Sequence, residues 1–219
     1  MQNTPEWQYN PNEDIIDRMR RRKQKSIVNY LLVAANIVIF LIVEATGGSE
    51  DVGHMIQCGA SYTPYVQTGE YYRLFTCMFL HFGVQHLLYN MLLLVFIGDT
   101  LEKTVGKGKY LLIYLGGGLM GNLLSMAKAM QTEVFHVSAG ASGAIFAVLG
   151  ALCYLAVKNR KTMNRAEGRR LIMMAVLSLL QGFTETGTDN MAHLGGFAGG
   201  FLLCFLLTIN RKKQAEDLL

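Results

Sequence analysis

The stretch "HVSAGASGAIFAVLGAL", residues 136–152, decides how the chain is read. It is almost wholly apolar from Ala144 onward, yet it opens on Gly140-Ala141-Ser142-Gly143, after His136 and Ser138. A serine in an apolar helix is ordinarily a small packing residue. Its meaning here depends on what else lies at the same depth, and so on whether the neighbouring stretches cross a membrane.

The 219 residues are 51% hydrophobic and only 16% charged, where a soluble domain carries about a quarter charged residues. Apolar stretches recur at 27–45, 84–101, 110–127, 142–157, 171–184 and 191–209. Several approach the ~20 residues that cross ~30 Å of hydrocarbon; the fourth and fifth are short. Continuous apolar runs without alternation select helices, because backbone groups facing lipid must be paired within the segment. The expectation is an all-α membrane protein, a six-transmembrane-helix bundle over 27–210, with a basic tail at 1–26 and a second tail at 211–219.

Lys and Arg set the orientation. They cluster before the first stretch (Arg18, Arg20, Arg21, Arg22, Lys23, Lys25) and after the second (Lys103, Lys107, Lys109). They cluster again after the fourth (Lys158 to Arg170) and the sixth (Arg211, Lys212, Lys213). Only Arg73 and Lys128 of the 20 basic residues fall on the other side, so both termini are expected to be cytoplasmic. The formal charge of +4 follows from this topology and calls for no nucleic-acid partner. The polar, basic N-terminal segment does not fit a secretory leader.

Four cysteines match no zinc spacing and are too few for a disulfide scaffold. Cys58 and Cys77 share the long outer connection, 46–83, and can pair. That connection is rich in aromatics ("YYRLFTCMFLHFG", 71–83). It is too long to lack structure of its own. Short interfacial helices are expected there, with Tyr71, Tyr72 and Phe75 at headgroup level. Glycines spaced four apart, as in Gly195-Gly196 with Gly199-Gly200, favour close helix contacts in lipid.

With this topology the second, fourth and sixth stretches run in the same direction. Ser142 lies 16 residues before Lys158, about 24 Å at 1.5 Å per residue. His193 lies 18 before Arg211, roughly 27 Å. His86 and Asn90 lie 17 and 13 before Lys103, roughly 26 and 20 Å. Three parallel helices thus carry Ser, His, His and Asn in one layer, several ångströms below the outer face. Polar and ionisable residues in spans are expensive and point to function.

These residue types suit acyl transfer. A serine hydroxyl attacks only when a base takes its proton, and histidine is the usual base. Ser142 starts a helix, where unpaired N–H groups and the positive end of the dipole favour an oxyanion. His86 and Asn90, at i and i+4, can add side-chain donors. Gly143 keeps the helix end open, and Phe146, one turn on, can stack on His193 or simply pack in the core. Asp189 can orient His193 or, as preferred, cap the last helix with Asn190.

These residues also carry a family resemblance. "HFGVQHLLYN" (His81, His86, Asn90), "GASG" (Gly140, Ser142, Gly143) and "NMAHLGGFAGG" (His193) resemble the rhomboid intramembrane serine proteases in motif, order and helix. "YYRLFT" (71–76) is similar to the family's Trp-Arg loop motif, with Tyr72 where the family has Trp. The resemblance covers about 27–209. It implies a six-helix bundle with a water-filled cavity open to the outside, Ser142 as nucleophile and His193 as base in a dyad without a carboxylate. It further implies an oxyanion hole of His86, Asn90 and the Ser142 N–H, with Arg73 anchoring the first loop and His81 in support. Substrates would be single-pass membrane proteins cut near the outer face. The enzyme would be multi-pass, in contact with membrane lipids, in the plasma membrane if bacterial, and would need no metal or other cofactor. Position 146, often Tyr in the family, is Phe here, which keeps the stacking face without the hydroxyl.

Other chemistries fit less well. A metalloprotease needs His-Glu-x-x-His, and His81…His86 has neither the glutamate nor the spacing. Asp99 and Asp189 lie at opposite faces, so they cannot form an aspartyl pair. A b-type cytochrome with His86 and His193 as axial ligands leaves Ser142 and Asn90 unexplained. A catalytically inactive relative that binds client membrane proteins has no need of a nucleophile beside a base. The fifth stretch with the outer connection 182–189 is the expected substrate gate.

Overall fold

A computed structural model describes residues 25–159 and 187–209, together with Met173 and Leu177. The fifth apolar stretch, the expected gate and both tails lie outside the described residues. The described chain is helical apart from one two-stranded ladder. Its elements are α1 (Ile27–Thr46), α2 (Val52–Gln57), β1 (Ser61–Tyr62), α3 (Thr63–Gln67), α4 (Arg73–Thr76), α5 (Gly83–Val105), α6 (Lys107–Thr132), β2 (Val137–Ser138), α7 (Ser142–Lys158) and α8 (Asn190–Thr208).

Four of these, α1, α5, α6 and α8, are 20, 23, 26 and 19 residues long and apolar enough to cross a bilayer. α7 has 17 residues and is shorter than the usual span. Large apolar side chains point outward on α1 and α5, among them Leu31 (62% exposed), Leu88 (61%) and Phe96 (66%). In water such a surface would be costly; against lipid it is the expected one.

One end of the bundle is fixed by buried polar contacts. Glu102 accepts from the backbone N–H groups of Val28 (3.2 Å) and Asn29 (2.7 Å), which satisfies donors at the start of α1. Asn29 donates to the Leu94 carbonyl (3.1 Å) and accepts from the Tyr110 hydroxyl (2.6 Å). Leu94 begins a π-helical turn, Leu94–Gly98, a feature that alters the carbonyl ladder inside a helix. Gly98 makes room for Asn29 and Tyr110. At the same end, Lys109 and Lys158 donate to the Leu207 (2.6 Å) and Thr208 (2.9 Å) carbonyls. Cations there complement the negative end of the α8 dipole.

The other end is capped by the 46–83 connection, which folds into the expected short helices. Arg73 is its anchor. Its guanidinium is buried between the Tyr65 and Tyr72 rings, donates to the Ile56 (2.6 Å) and Ala60 (3.0 Å) carbonyls and pairs with Glu70 (2.6 Å). Hydrogen bonds from Tyr72 and Arg73 hold the half-buried Glu70 carboxyl below its usual range. Tyr71, Tyr72 and Phe75 are exposed. Cys58 and Cys77 are both free thiols. Cys58 lies beside His54 (3.4 Å), whereas Cys77 is buried and accepts from Asn122 (3.2 Å), so each sulfur is turned to a different partner.

The core is built from α6, α7 and α8, which meet through residues without bulk. A Cβ added to Gly196 would fall on the Gly143 carbonyl, one on Gly200 on the Ala147 backbone, and one on Gly150 on the Phe197 carbonyl. Gly117 faces Ala147, and Gly121 faces the Ala192 carbonyl. Lipid tails offer no hydrophobic drive for helices to associate, so such contact through small residues holds the spans together. Gly200→Ala is therefore expected to lower the thermal midpoint in detergent, by an overpacking cost of about 1–3 kcal/mol; an unchanged midpoint would contradict this packing.

Candidate active site

The α7–α8 contact sets two side chains face to face. Ser142 is the first residue of α7 and His193 the fourth of α8. The Ser142 hydroxyl and His193 Nε2 are 2.9 Å apart, within hydrogen-bond range. The Phe146 ring stacks on the imidazole, with centroids 4.3 Å apart and planes 22° from parallel. His193 is buried (9% exposed) and Ser142 is half-buried.

The approach to Ser142 is pinned residue by residue. Ser138 pairs with Ser61 across the β1–β2 ladder. Gly140 N–H donates to the Cys77 carbonyl (2.9 Å). Ala141 N–H donates to His81 Nε2 (3.3 Å). His81 is buried, and burial with the nearby His86 pushes its pKa down, which keeps the acceptor nitrogen unprotonated. Gly140 has φ +146°, a backbone conformation that side chains disfavour, and a Cβ there would come within 2.8 Å of the His86 ring. Glycine thus lets His86 lie directly over the turn into α7. No side chain caps α7, so amides of its first turn are left for an incoming anion.

Asn90 lies one turn below His86, buried, with its amide donating to the His86 carbonyl at 2.9 Å. That bond uses one of its two amide hydrogens. Asp189 makes no hydrogen bond to the His193 ring. It caps α8 by accepting from Ala192 N–H (3.0 Å), while His193 Nδ1 has no hydrogen-bond partner among the described residues. The preferred capping assignment of Asp189 therefore matches the structure.

Two features were not foreseen from the sequence. One is the backbone bond made by His81. The other is a cluster in which Asp189 also accepts from Ser125 (2.6 Å) and Ser138 (2.9 Å). An acid at a helix start with serines in two neighbouring segments was the available signal, but their convergence depends on how the segments fold.

Residues 68–210 match the Rhomboid domain family model. The chain belongs to the rhomboid family. It is 39% identical over 177 residues to rhomboid protease GluP of Bacillus subtilis, covering 81% of this chain and 34% of that one. It is 37% identical over 153 residues to RHOMBOID-like protein 7 of Arabidopsis thaliana, covering 69% and 48%. It is 30% identical over 201 residues to rhomboid-like protease 3 of Toxoplasma gondii, covering 89% and 72%. The chain thus spans about a third of GluP and about half of the Arabidopsis relative. With its apolar helices, membership makes it an integral membrane protein of a family whose named relatives include proteases.

The stacked ring gives a direct expectation. If the pair cleaves a reporter transmembrane helix, Phe146→Ala should slow that cleavage about 2- to 10-fold, as fits loss of one aromatic pair. Phe146→Tyr should stay close to wild type. Equal rates in all three proteins would show that the stack contributes nothing.

Proposed function

We propose that this rhomboid is an intramembrane serine endopeptidase that cleaves single-pass transmembrane proteins near the outer membrane face. The observation that carries the reading is the 2.9 Å contact between Ser142 and His193 at the start of a helix with no side-chain cap. His193 Nε2 accepts the hydroxyl proton as Ser142 Oγ bonds to the scissile carbonyl carbon. The resulting oxyanion lies against the first amides of α7, with His86 above and Asn90 below offering further N–H donors. The imidazolium then gives its proton to the departing amine, and the acyl-enzyme is hydrolysed by water entering from the outer side.

The pair works as a dyad. Asp189 is engaged with α8 and the two serines, and Phe146 restricts the ring in place of a carboxylate. Gly140 and Gly143 keep bulk away from the reacting atoms, His81 holds the Ala141 amide, and Arg73 holds the outer connection. The proposed topology has six spans over 27–210, with the tails 1–26 and 211–219 on the cytoplasmic side. It is supported by the basic residues gathered at the end where α1 starts and α5, α7 and α8 finish.

Cleavage of a reporter transmembrane helix in proteoliposomes tests the reading. Ser142→Ala and His193→Ala should each abolish cleavage while the thermal midpoint stays near that of the parent. Turnover by Ser142→Ala would end the serine mechanism. A wild type that binds the reporter without cutting it would mark the chain as an inactive client-binding relative. Asn90→Ala should retain activity reduced on the order of 10- to 1000-fold, the range for loss of one oxyanion donor; an unaltered rate would remove Asn90 from the oxyanion site.

A further inference from the structure

Asp189 stands four residues before His193, and Ser138 four residues before Ser142. The two meet: Ser138 Oγ donates to Asp189 Oδ2 at 2.9 Å. The same carboxylate oxygen accepts from Ser125 Oγ of α6 at 2.6 Å, and Oδ1 accepts from the Ala192 N–H of α8 at 3.0 Å. Three donors from three elements therefore converge on one side chain. We infer that Asp189 is a positioning residue that sets the height of α8 against the segment entering α7, and so holds His193 at bonding distance from Ser142. The inference rests on the serine–histidine reading above.

The chemistry of the cluster suits a carboxylate. An ionised carboxylate only accepts, through two oxygens with about four lone-pair sites, and its bonds from hydroxyls are charge-assisted and short. An amide offers a single accepting oxygen, and alanine offers none. The glycine contacts fix how closely α7 and α8 approach. Height along the axis is a separate coordinate, since α7 ends at Lys158 and α8 begins at Asn190, too far apart in sequence to fix it covalently. A slip of one residue shifts a helix by about 1.5 Å, enough to take the hydroxyl and the imidazole outside the ~2.7–3.0 Å bonding range.

On the serine side, residues 138, 140 and 141 are each tied down, to Ser61, Cys77 and His81. The Asp189–Ser138 bond joins that fixed segment to α8. His193 Nδ1 donates no hydrogen bond to Asp189, so the carboxylate holds the ring through the placement of α8.

The test is steady-state cleavage of a reporter transmembrane substrate by Ser138→Ala, Asp189→Ala, the double variant, Ser138→Thr and Ser142→Ala, with thermal midpoints recorded. Misplacement of reacting groups by about 1 Å costs up to 10²-fold. Ser138→Ala and Asp189→Ala should each lose about 10-fold or more in kcat with KM little changed. The double variant should be no slower than the slower single, since the two residues act as one unit. Ser138→Thr, which keeps the hydroxyl, should recover most of the rate. Full kcat in Ser138→Ala, or losses that multiply in the double variant, would overturn the inference. So would an inactive Asp189→Ala beside an intact Ser138→Ala, which would assign Asp189 to His193 directly. If Asp189→Ala fails to fold, the Ser138→Ala and Ser138→Thr pair decides alone. Cleavage by Ser142→Ala would refute the serine reading itself, whereas an inactive Ser142→Ala with fully active Ser138→Ala and Asp189→Ala would refute only the role of Asp189.

Discussion

Contact between the backbones of α7 and α8, with no side chains to separate them, is the constraint on which the site depends. Gly143, Gly150, Gly196 and Gly200 each face a neighbouring main chain or Ala147. A serine and a histidine have short side chains, and their polar atoms meet at 2.9 Å only because the helices carrying them approach this closely. The glycines cost helix propensity in water, but in lipid the helical backbone is enforced by the lack of other partners. A bilayer therefore tolerates a run such as Gly195-Gly196 with Gly199-Gly200 as a packing surface. Packing and chemistry share the same residues here, with Gly143 beside the proposed nucleophile and Gly196 pressed against it.

Three buried polar residues elsewhere show the rule that a buried donor or acceptor needs a partner. Glu102 serves the free amides of α1, Asn29 takes a carbonyl at the π-turn, and Arg73 gathers two loop carbonyls and a carboxylate. These contacts tie α1 to α5 at one end and hold the 46–83 connection together at the other. Among the described residues, the nitrogen of His193 that faces away from Ser142 has no hydrogen-bond partner. Phe146 constrains the ring by stacking, a weaker hold than a charged hydrogen bond and one that leaves precise placement to the surrounding backbone.

Much of the architecture was legible in the sequence because the bilayer leaves few choices. Apolar run length indicated α1, α5, α6, α7 and α8, and the start of the fourth stretch at 142 coincides with the first residue of α7. Helical spacing and depth place Ser142 and His193 in one layer, Phe146 one turn beyond Ser142 and Asp189 at the start of the last stretch, while the 2.9 Å contact and the stack on Phe146 are read only from the structure. Counting does not reach contacts that depend on how connections fold. The meeting of Ser125, Ser138 and Asp189, the bond from Ala141 to His81, and the bond from Asn122 to Cys77 each join segments far apart in the chain. The π-turn at Leu94 was invisible for a related reason: its carbonyl bonds to Asn29 of another helix.

The central claim is that Ser142 is a nucleophile activated by His193, and peptide mapping of a fluorophosphonate adduct tests it most directly. Wild-type protein in detergent, treated with the probe and digested, should carry a single phosphonyl modification on Ser142, and the adduct should be absent when residue 193 is alanine. Modification at another serine, or undiminished labelling of Ser142 without the imidazole, would contradict the account.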